Sequence, residues 1–128
     1  MIMSDLGSSL SFAASGMQAQ ASRLRHVSEN IANADTPGYR RKTVAFEEMA
    51  DQPGVALSPV RLDQKPLDRI FDPGHPLADE AGFYDGSNVD LITEIADARE
   101  AQRSYEANLR MFDQARQMTS DLLALLRR

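Results

Sequence analysis

The sequence predicts a mainly α fold: long N- and C-terminal helices packed as an antiparallel coiled coil, with a small extended or β-like insert between them. Three observations carry this. All six prolines lie between Pro37 and Pro76, so both ends are free of helix breakers. Each end carries apolar residues at alternating spacings of four and three. The middle is short, turn-rich and without helical periodicity. The expected segments are residues 1–36, 37–87 and 88–128.

In the first segment Leu6, Leu10, Ala13, Met17, Gln20, Leu24, Val27 and Ile31 form the expected seam, with Ser4 or Asp5 as N-cap. Gln20 is the only polar occupant, read as a partly solvated seam residue, with a register-fixing role as the alternative. Gly7, Gly16 and several serines weaken the helix, which is expected to need partners. Its exit is written in residues 28–39. Thr36 precedes a proline, Pro37 lacks an N–H, and Gly38 accepts the positive φ of a type II turn.

In the insert, Lys42–Phe46 alternates as a short strand should, and Val55–Leu62 reads as a second extended piece beyond a turn at Gln52–Gly54. Residues 71–76 are turn-rich, and 82–86 a loop or hairpin arm. Arg40, Arg41 and Lys42 suit a solvated turn or an acidic neighbouring subunit equally.

The last segment opens with Ser87 or Asn88 as cap and with Asp90 favouring the positive helix end. Leu91, Ile95, Ala98, Gln102, Tyr105, Leu109 and Phe112 continue the seam, which then shifts to Ala115, Met118, Leu122 and Leu125. Two helices bury one seam only, too little core for an isolated domain, so self-association or packing into a larger assembly is expected.

A net charge of −5 argues against nucleic acid as a partner. No apolar run is long enough for a transmembrane segment, and the start has no signal-peptide pattern. Without cysteine there is no thiolate chemistry and no disulfide. For catalysis the candidates are sparse. His26 and Ser28 sit too close on one helix to pair as base and nucleophile, and Asp72, His75 and Asp79 offer metal ligands only in principle. No catalytic residue, metal or cofactor is assigned.

Two stretches are more specific. Ser28-x-Asn30-Ile31-Ala32-Asn33-x-x-Thr36-Pro37-Gly38-Tyr39 resembles the N-terminal signature of the bacterial flagellar rod and hook family. Asn88-Val89-Asp90, followed by Ala101-Gln102-Arg103-Ser104-Tyr105-Glu106-Ala107-Asn108, resembles its C-terminal signature. Within that family, Asp72-Pro73-Gly74-His75-Pro76-x-Ala78-Asp79 and Arg103-Ser104-Tyr105-x-Ala107-Asn108 resemble one proximal-rod member in particular. Ser87 departs from the family, which often has proline before Asn-Val-Asp.

The resemblance implies a structural subunit, not an enzyme, that stacks helically into a hollow drive shaft. It would leave the cytoplasm through the flagellar type III export apparatus without a cleaved signal peptide. Its implied partners are copies of itself, other rod proteins and a basal adaptor at the membrane-embedded ring. The motif residues then serve assembly, with Leu10, Met17, Leu24, Ile31, Ile95, Leu109 and Phe112 in the helix seam. A sister proximal-rod protein and a coiled-coil adaptor are the alternatives.

Overall fold

The computed structural model describes residues 2–127. Two helices, α1 (Ile2–Ala32) and α2 (Leu91–Leu126), pack against each other along their lengths. They run antiparallel: Gly16 meets Asn108, Asn30 meets Glu94, and Leu6 shares a cleft with Leu122. The first helix begins at Ile2, so Ser4 and Asp5 lie inside it and do not cap it. Asp90 is the N-cap of α2, its carboxylate accepting from Ile92 N at 3.0 Å. Ser87 and Asn88, the expected caps, are used elsewhere.

Between the helices lie three two-stranded antiparallel ladders. Strands β1 (Lys42–Thr43) and β4 (Arg61–Leu62) pair at the root of one hairpin, and β2 (Phe46–Glu48) and β3 (Val55–Leu57) pair nearer its tip. This hairpin folds back along α1, where Val55 N donates to Ser15 Oγ at 3.0 Å. The third ladder, β5 (Arg69–Phe71) with β6 (Phe83–Asp85), forms a separate arm. Strands of two or three residues cannot enclose a core of their own, so the insert is an elaboration of the helix pair.

The seam itself corrects the sequence reading. Leu6, Ala13 and Val27 are buried as expected, but Gly16 and Asn30 replace Met17 and Ile31 in the line of contact. On α2 the buried residues are Glu94, Ala101 and Ala115, with Asn108 against Gly16, not Ile95, Gln102 and Leu109. On each helix one row of the seam thus lies one residue earlier than the apolar pattern suggests, Gly16 and Asn30 on α1 and Glu94, Ala101 and Asn108 on α2. The cause is close approach: a Cβ at Gly16 would sit 2.8 Å from the Asn108 side chain. Small and polar residues occupy the line of contact, and the bulkier ones are displaced to its flanks. Leu10, Met17, Leu24 and Phe112 are half-buried there, while Ile31, Ile95 and Leu109 are 38%, 47% and 40% exposed. Gln20 is buried, not partly solvated, and its Oε1 has no hydrogen-bond partner among the described residues.

Candidate functional site

The place where the chain spends its polar groups most densely is the end of the helix pair at which the insert leaves and returns. Asn30 lies one residue before the last apolar residue of α1 and is 1% exposed. A buried primary amide must find partners for two donors and its acceptor oxygen. Here Oδ1 accepts from Tyr39 Oη (2.7 Å) and Lys42 N (2.9 Å), and Nδ2 donates to Lys42 O (3.0 Å) and Glu94 Oε2 (3.3 Å). One side chain therefore ties the first helix, the turn, β1 and the second helix together, using its full hydrogen-bonding capacity.

The turn that makes this possible is built as its residues dictate. Asn33 closes the helix end by donating from Nδ2 to Glu29 O (2.9 Å), and its Oδ1 accepts from Thr36 Oγ1 (3.0 Å). Tyr39 N donates to Thr36 O at 3.2 Å across Pro37 and Gly38. Gly38 has φ = 76°, which costs little without a Cβ. Its N–H donates to Gly86 O (3.0 Å), so the glycine conformation also aims a donor at the returning chain.

Asn88 is the counterpart on the return path. Its Oδ1 accepts from Arg41 N (2.6 Å), its Nδ2 donates to Asp63 O (2.8 Å) and Lys65 O (3.1 Å), and its N–H donates to Tyr39 O (3.3 Å). Ser87 Oγ donates to Ala34 O, beyond the end of α1. A proline before Asn88 has no hydroxyl for that contact, so the serine here secures the junction in a different way.

Glu94 is fully buried at the centre of this clasp. Arg41 meets it through Nε, reaches Asp97 with a second nitrogen at 2.9 Å and lies 3.7 Å from Asp63. Burial opposes the Arg41 charge, but the hydrogen bond to Glu94 and the three surrounding carboxylates outweigh it and raise its pKa. Lys42 pairs with Glu29, and Arg40 donates to the carbonyls of Asp63 and Lys65. All three residues of the basic cluster are consumed inside the chain. Tyr39 has a raised pKa, first because burial disfavours phenolate and then because Glu29 is near.

The structure thus joins Asn30, Asn33, Thr36, Gly38, Tyr39, Asn88 and Asp90 in one junction, with Val89 half-buried beside it. Ala32, Pro37, Gln102, Arg103 and Ala107 are exposed and lie outside its hydrogen bonds among the described residues. Tyr105 and Asn108 are half-buried further along α2. Glu94 is a clasp member that the sequence did not single out, and Arg41 and Ser87 were read there only as part of a basic cluster and as a helix cap. The only signal for Glu94 is that it stands seven residues from Ala101, Asn108 and Ala115 in turn, a heptad hidden by its lack of large apolar residues.

His26 Nδ1 is buried without a hydrogen-bond partner among the described residues, and His75 belongs to the arm. His75 stacks on Tyr84 at 3.9 Å and accepts from Leu77 N, while Asp72 and Asp79 accept from Gly74 N and Phe83 N. These side chains shape the arm. Among the described residues no group of three or more potential ligands is placed to hold a metal ion.

A saturated clasp between two signature stretches, at one end of a helix pair with exposed apolar flanks, is a scaffold feature. The "Flagella basal body rod protein" family model matches residues 10–40, and the "Flagellar basal body rod FlgEFG protein C-terminal" model matches residues 80–125. The two bracket the clasp and define the class: a flagellar rod-type protein. Among curated relatives, the flagellar basal-body rod protein FlgC of Agrobacterium fabrum is 41% identical, with 98% of each chain covered. FlgC of Escherichia coli O157:H7 is 35% identical over 88% of this chain and 92% of its own. FlgC of Borreliella burgdorferi is 30% identical over 94% and 97%. The chain belongs to the FlgC family of flagellar basal-body rod proteins.

Proposed function

We propose that this chain is a structural subunit of the proximal rod of the bacterial flagellar basal body and has no enzymatic role. It assembles with other rod subunits, stacking helically into the hollow shaft that transmits torque and meeting a basal adaptor at the membrane-embedded ring. It reaches that place through the flagellar type III export apparatus, carrying an uncleaved N-terminal signal. No helix among the described residues is long and apolar enough to cross a membrane.

The observation that carries this reading is the pairing of a rigid junction with an incomplete coiled coil. The clasp fixes the direction in which the insert leaves the helices. The helices leave Ile2, Ile95, Leu109, Met118 and Leu125 between 40% and 65% exposed, more apolar surface than a finished two-helix domain retains. A torque-bearing subunit needs both properties: a fixed angle at one end, and side faces that are completed only by neighbours.

The test is a fractionation. In a strain whose only copy is tagged, the chain is expected in purified basal bodies, at the cytoplasmic end of the rod in a cryo-EM map. A chain retained in the cytoplasm of cells that build complete rods would overturn the assignment. Gly38→Val puts a β-branched residue at φ = 76°, where one is strained. It should allow export yet stop rod growth, because the insert would leave at the wrong angle. Full-length rods containing the variant chain would contradict that role for the turn.

A further inference from the structure

Resting on the rod-subunit reading, we infer that the arm of residues 68–86 is a docking element, and that its receptor is the groove between the helices of a second copy of this chain. The arm is rigid and turned outward. Arg69 bridges Asp79 (2.9 Å) and Asp85 (3.2 Å) and lies over the Phe83 ring at 5.5 Å. Asp79 fixes the loop, its Oδ1 accepting from Phe83 N at 2.9 Å, and the stacked His75 and Tyr84 rings brace it. Beyond its root, where Asp85 O and Gly86 O take Gly38 N and Asp68 meets Ser87, no hydrogen bond or ion pair of the arm leaves it among the described residues.

Bonded to the rest of the chain only at its root among the described residues, the arm presents Phe71 at 62% and Leu77 at 63% exposure. Holding apolar side chains in water on a preorganised arm suits binding, because little conformational freedom remains to be lost on docking. Its charge narrows the partner. Residues 68–86 hold five acidic residues against one arginine, accounting for four of the chain's five net negative charges.

The matching surface is on the same molecule. Ala21, Leu24, Tyr105 and Leu109 line a mostly apolar groove of about 470 Å³. Arg99 and Arg103 stand three residues before Gln102 and Glu106 of its lining, Arg110 four after Glu106, and Arg25 four after Ala21. On a helix these spacings place side chains next to one another. All four arginines are exposed and form no ion pair among the described residues; against them stand Glu106 of the lining and Asp113, four residues after Leu109 and paired with Arg116, so the rim is net basic. An acidic arm bearing Phe71 and Leu77 complements an apolar groove with a basic rim. In the single chain the arm does not line this groove, so the arm that fills it comes from another copy.

The absence of cysteine makes the contact directly testable. Two differently tagged full-length copies, one Leu77→Cys and one Leu109→Cys, are expressed together in flagellated cells, and isolated basal bodies are oxidised. A disulfide needs Cα atoms within about 7 Å, so a doubly tagged dimer is expected from this pair. It should be missing from a control pairing Leu77→Cys with Gln117→Cys. Arg103→Glu with Arg110→Glu on the receiving copy should abolish the dimer, and Glu80→Arg on the other should restore part of it. These three side chains are exposed and make no hydrogen bond or ion pair among the described residues, so the swap leaves the arm's own bonds intact.

Basal bodies containing both copies but no more dimer than the control would overturn the contact and leave the rod assignment standing. Joining of the Leu77→Cys copy to a different rod subunit would overturn the choice of occupant. Purified copies that cross-link in solution but never enter basal bodies would keep the contact and sink the rod reading.

Discussion

The two ends of the helix pair solve opposite problems. At the clasp, Asn30 and Glu94 are 1% and 0% exposed, and the polar atoms described there are paired within the chain. At the other end Ile2, Leu125 and Leu126 are 65%, 61% and 76% exposed around an apolar cleft. A buried polar network is satisfied completely or it is costly, so it must be finished inside one molecule. An apolar surface can stay in water until a neighbour covers it, because its burial is non-directional and proportional to area. One end is therefore finished within the chain, and the other leaves apolar surface that a neighbour could cover.

The largest effect comes from breaking the clasp. Glu94→Ala removes the carboxylate and leaves Arg41 and the Asn30 amide facing a buried gap. Removing one partner of a buried ion pair costs about 3–5 kcal/mol. Chemical denaturation of the purified chain should register a loss of that size. A loss below 1 kcal/mol would mean that Arg41 simply turns to Asp97 and Asp63, and that the junction is not a closed network.

The middle of the seam should respond in the opposite sense. Gln20 is 7% exposed with an unpartnered Oε1, in a position where its neighbours in register are Ala13 and Val27. A buried polar atom left unpaired costs about 1–3 kcal/mol, so Gln20→Leu should stabilise the isolated chain by an amount in that range. If it also relaxes the pairing register, cross-links between cysteines placed at residues 12 and 111 would spread to neighbouring positions. A destabilised Gln20→Leu chain would show that the amide has a partner that matters.

How much of this was legible in the sequence depends on which interactions leave a periodic trace. The helices, the turn at Gly38 and the location of the hairpins follow from proline placement, spacing and turn residues, and they match the structure. One row of the seam on each helix was displaced by one residue, because periodicity counts large apolar side chains whereas close packing selects Gly16, Ala101 and Asn108. The motif residues Asn30, Tyr39 and Asn88 were found by resemblance. Their partners Arg41 and Glu94 were not, since a charged residue beside a turn and an acid in a first helical turn have ordinary surface explanations.

A smaller effect separates the clasp from its surroundings by pH. Tyr39 donates to Asn30, and burial with the nearby Glu29 raises its pKa above the ordinary value near 10. A raised folded pKa means that the stabilisation is complete below the unfolded value and is lost as pH rises through the folded one. Stability should therefore fall on going above pH ~10, and ultraviolet titration of phenolate should find one tyrosine that ionises late. Tyr39→Phe should cost about 1 kcal/mol at neutral pH and remove that part of the alkaline loss. An unchanged alkaline profile in Tyr39→Phe would assign the loss to another group.

The smallest effect on the chain alone is expected at the open end, and it is the sharpest test of the contrast. Leu125 is 61% exposed and stands one residue from the end of α2. Replacing it with aspartate removes almost no intramolecular packing, and surface substitutions of this kind usually change stability by less than about 0.5 kcal/mol. Denaturation of the isolated chain should scarcely register Leu125→Asp. In the assembly the same side chain is expected to lie against neighbouring subunits. There an unpaired carboxylate in an apolar interface costs several kcal/mol, repeated at every copy around the shaft. The variant should thus fold and be exported, yet fail to enter basal bodies, and cells carrying it should not swim. Glu94→Ala would also prevent swimming, but through a chain already weakened before export. If Leu125→Asp destabilised the isolated chain as strongly as Glu94→Ala, both ends would be finished within the monomer and the contrast would fail. If Leu125→Asp cells built normal rods, the open end would not be an adhesive surface, and the apolar side chains there would need another explanation.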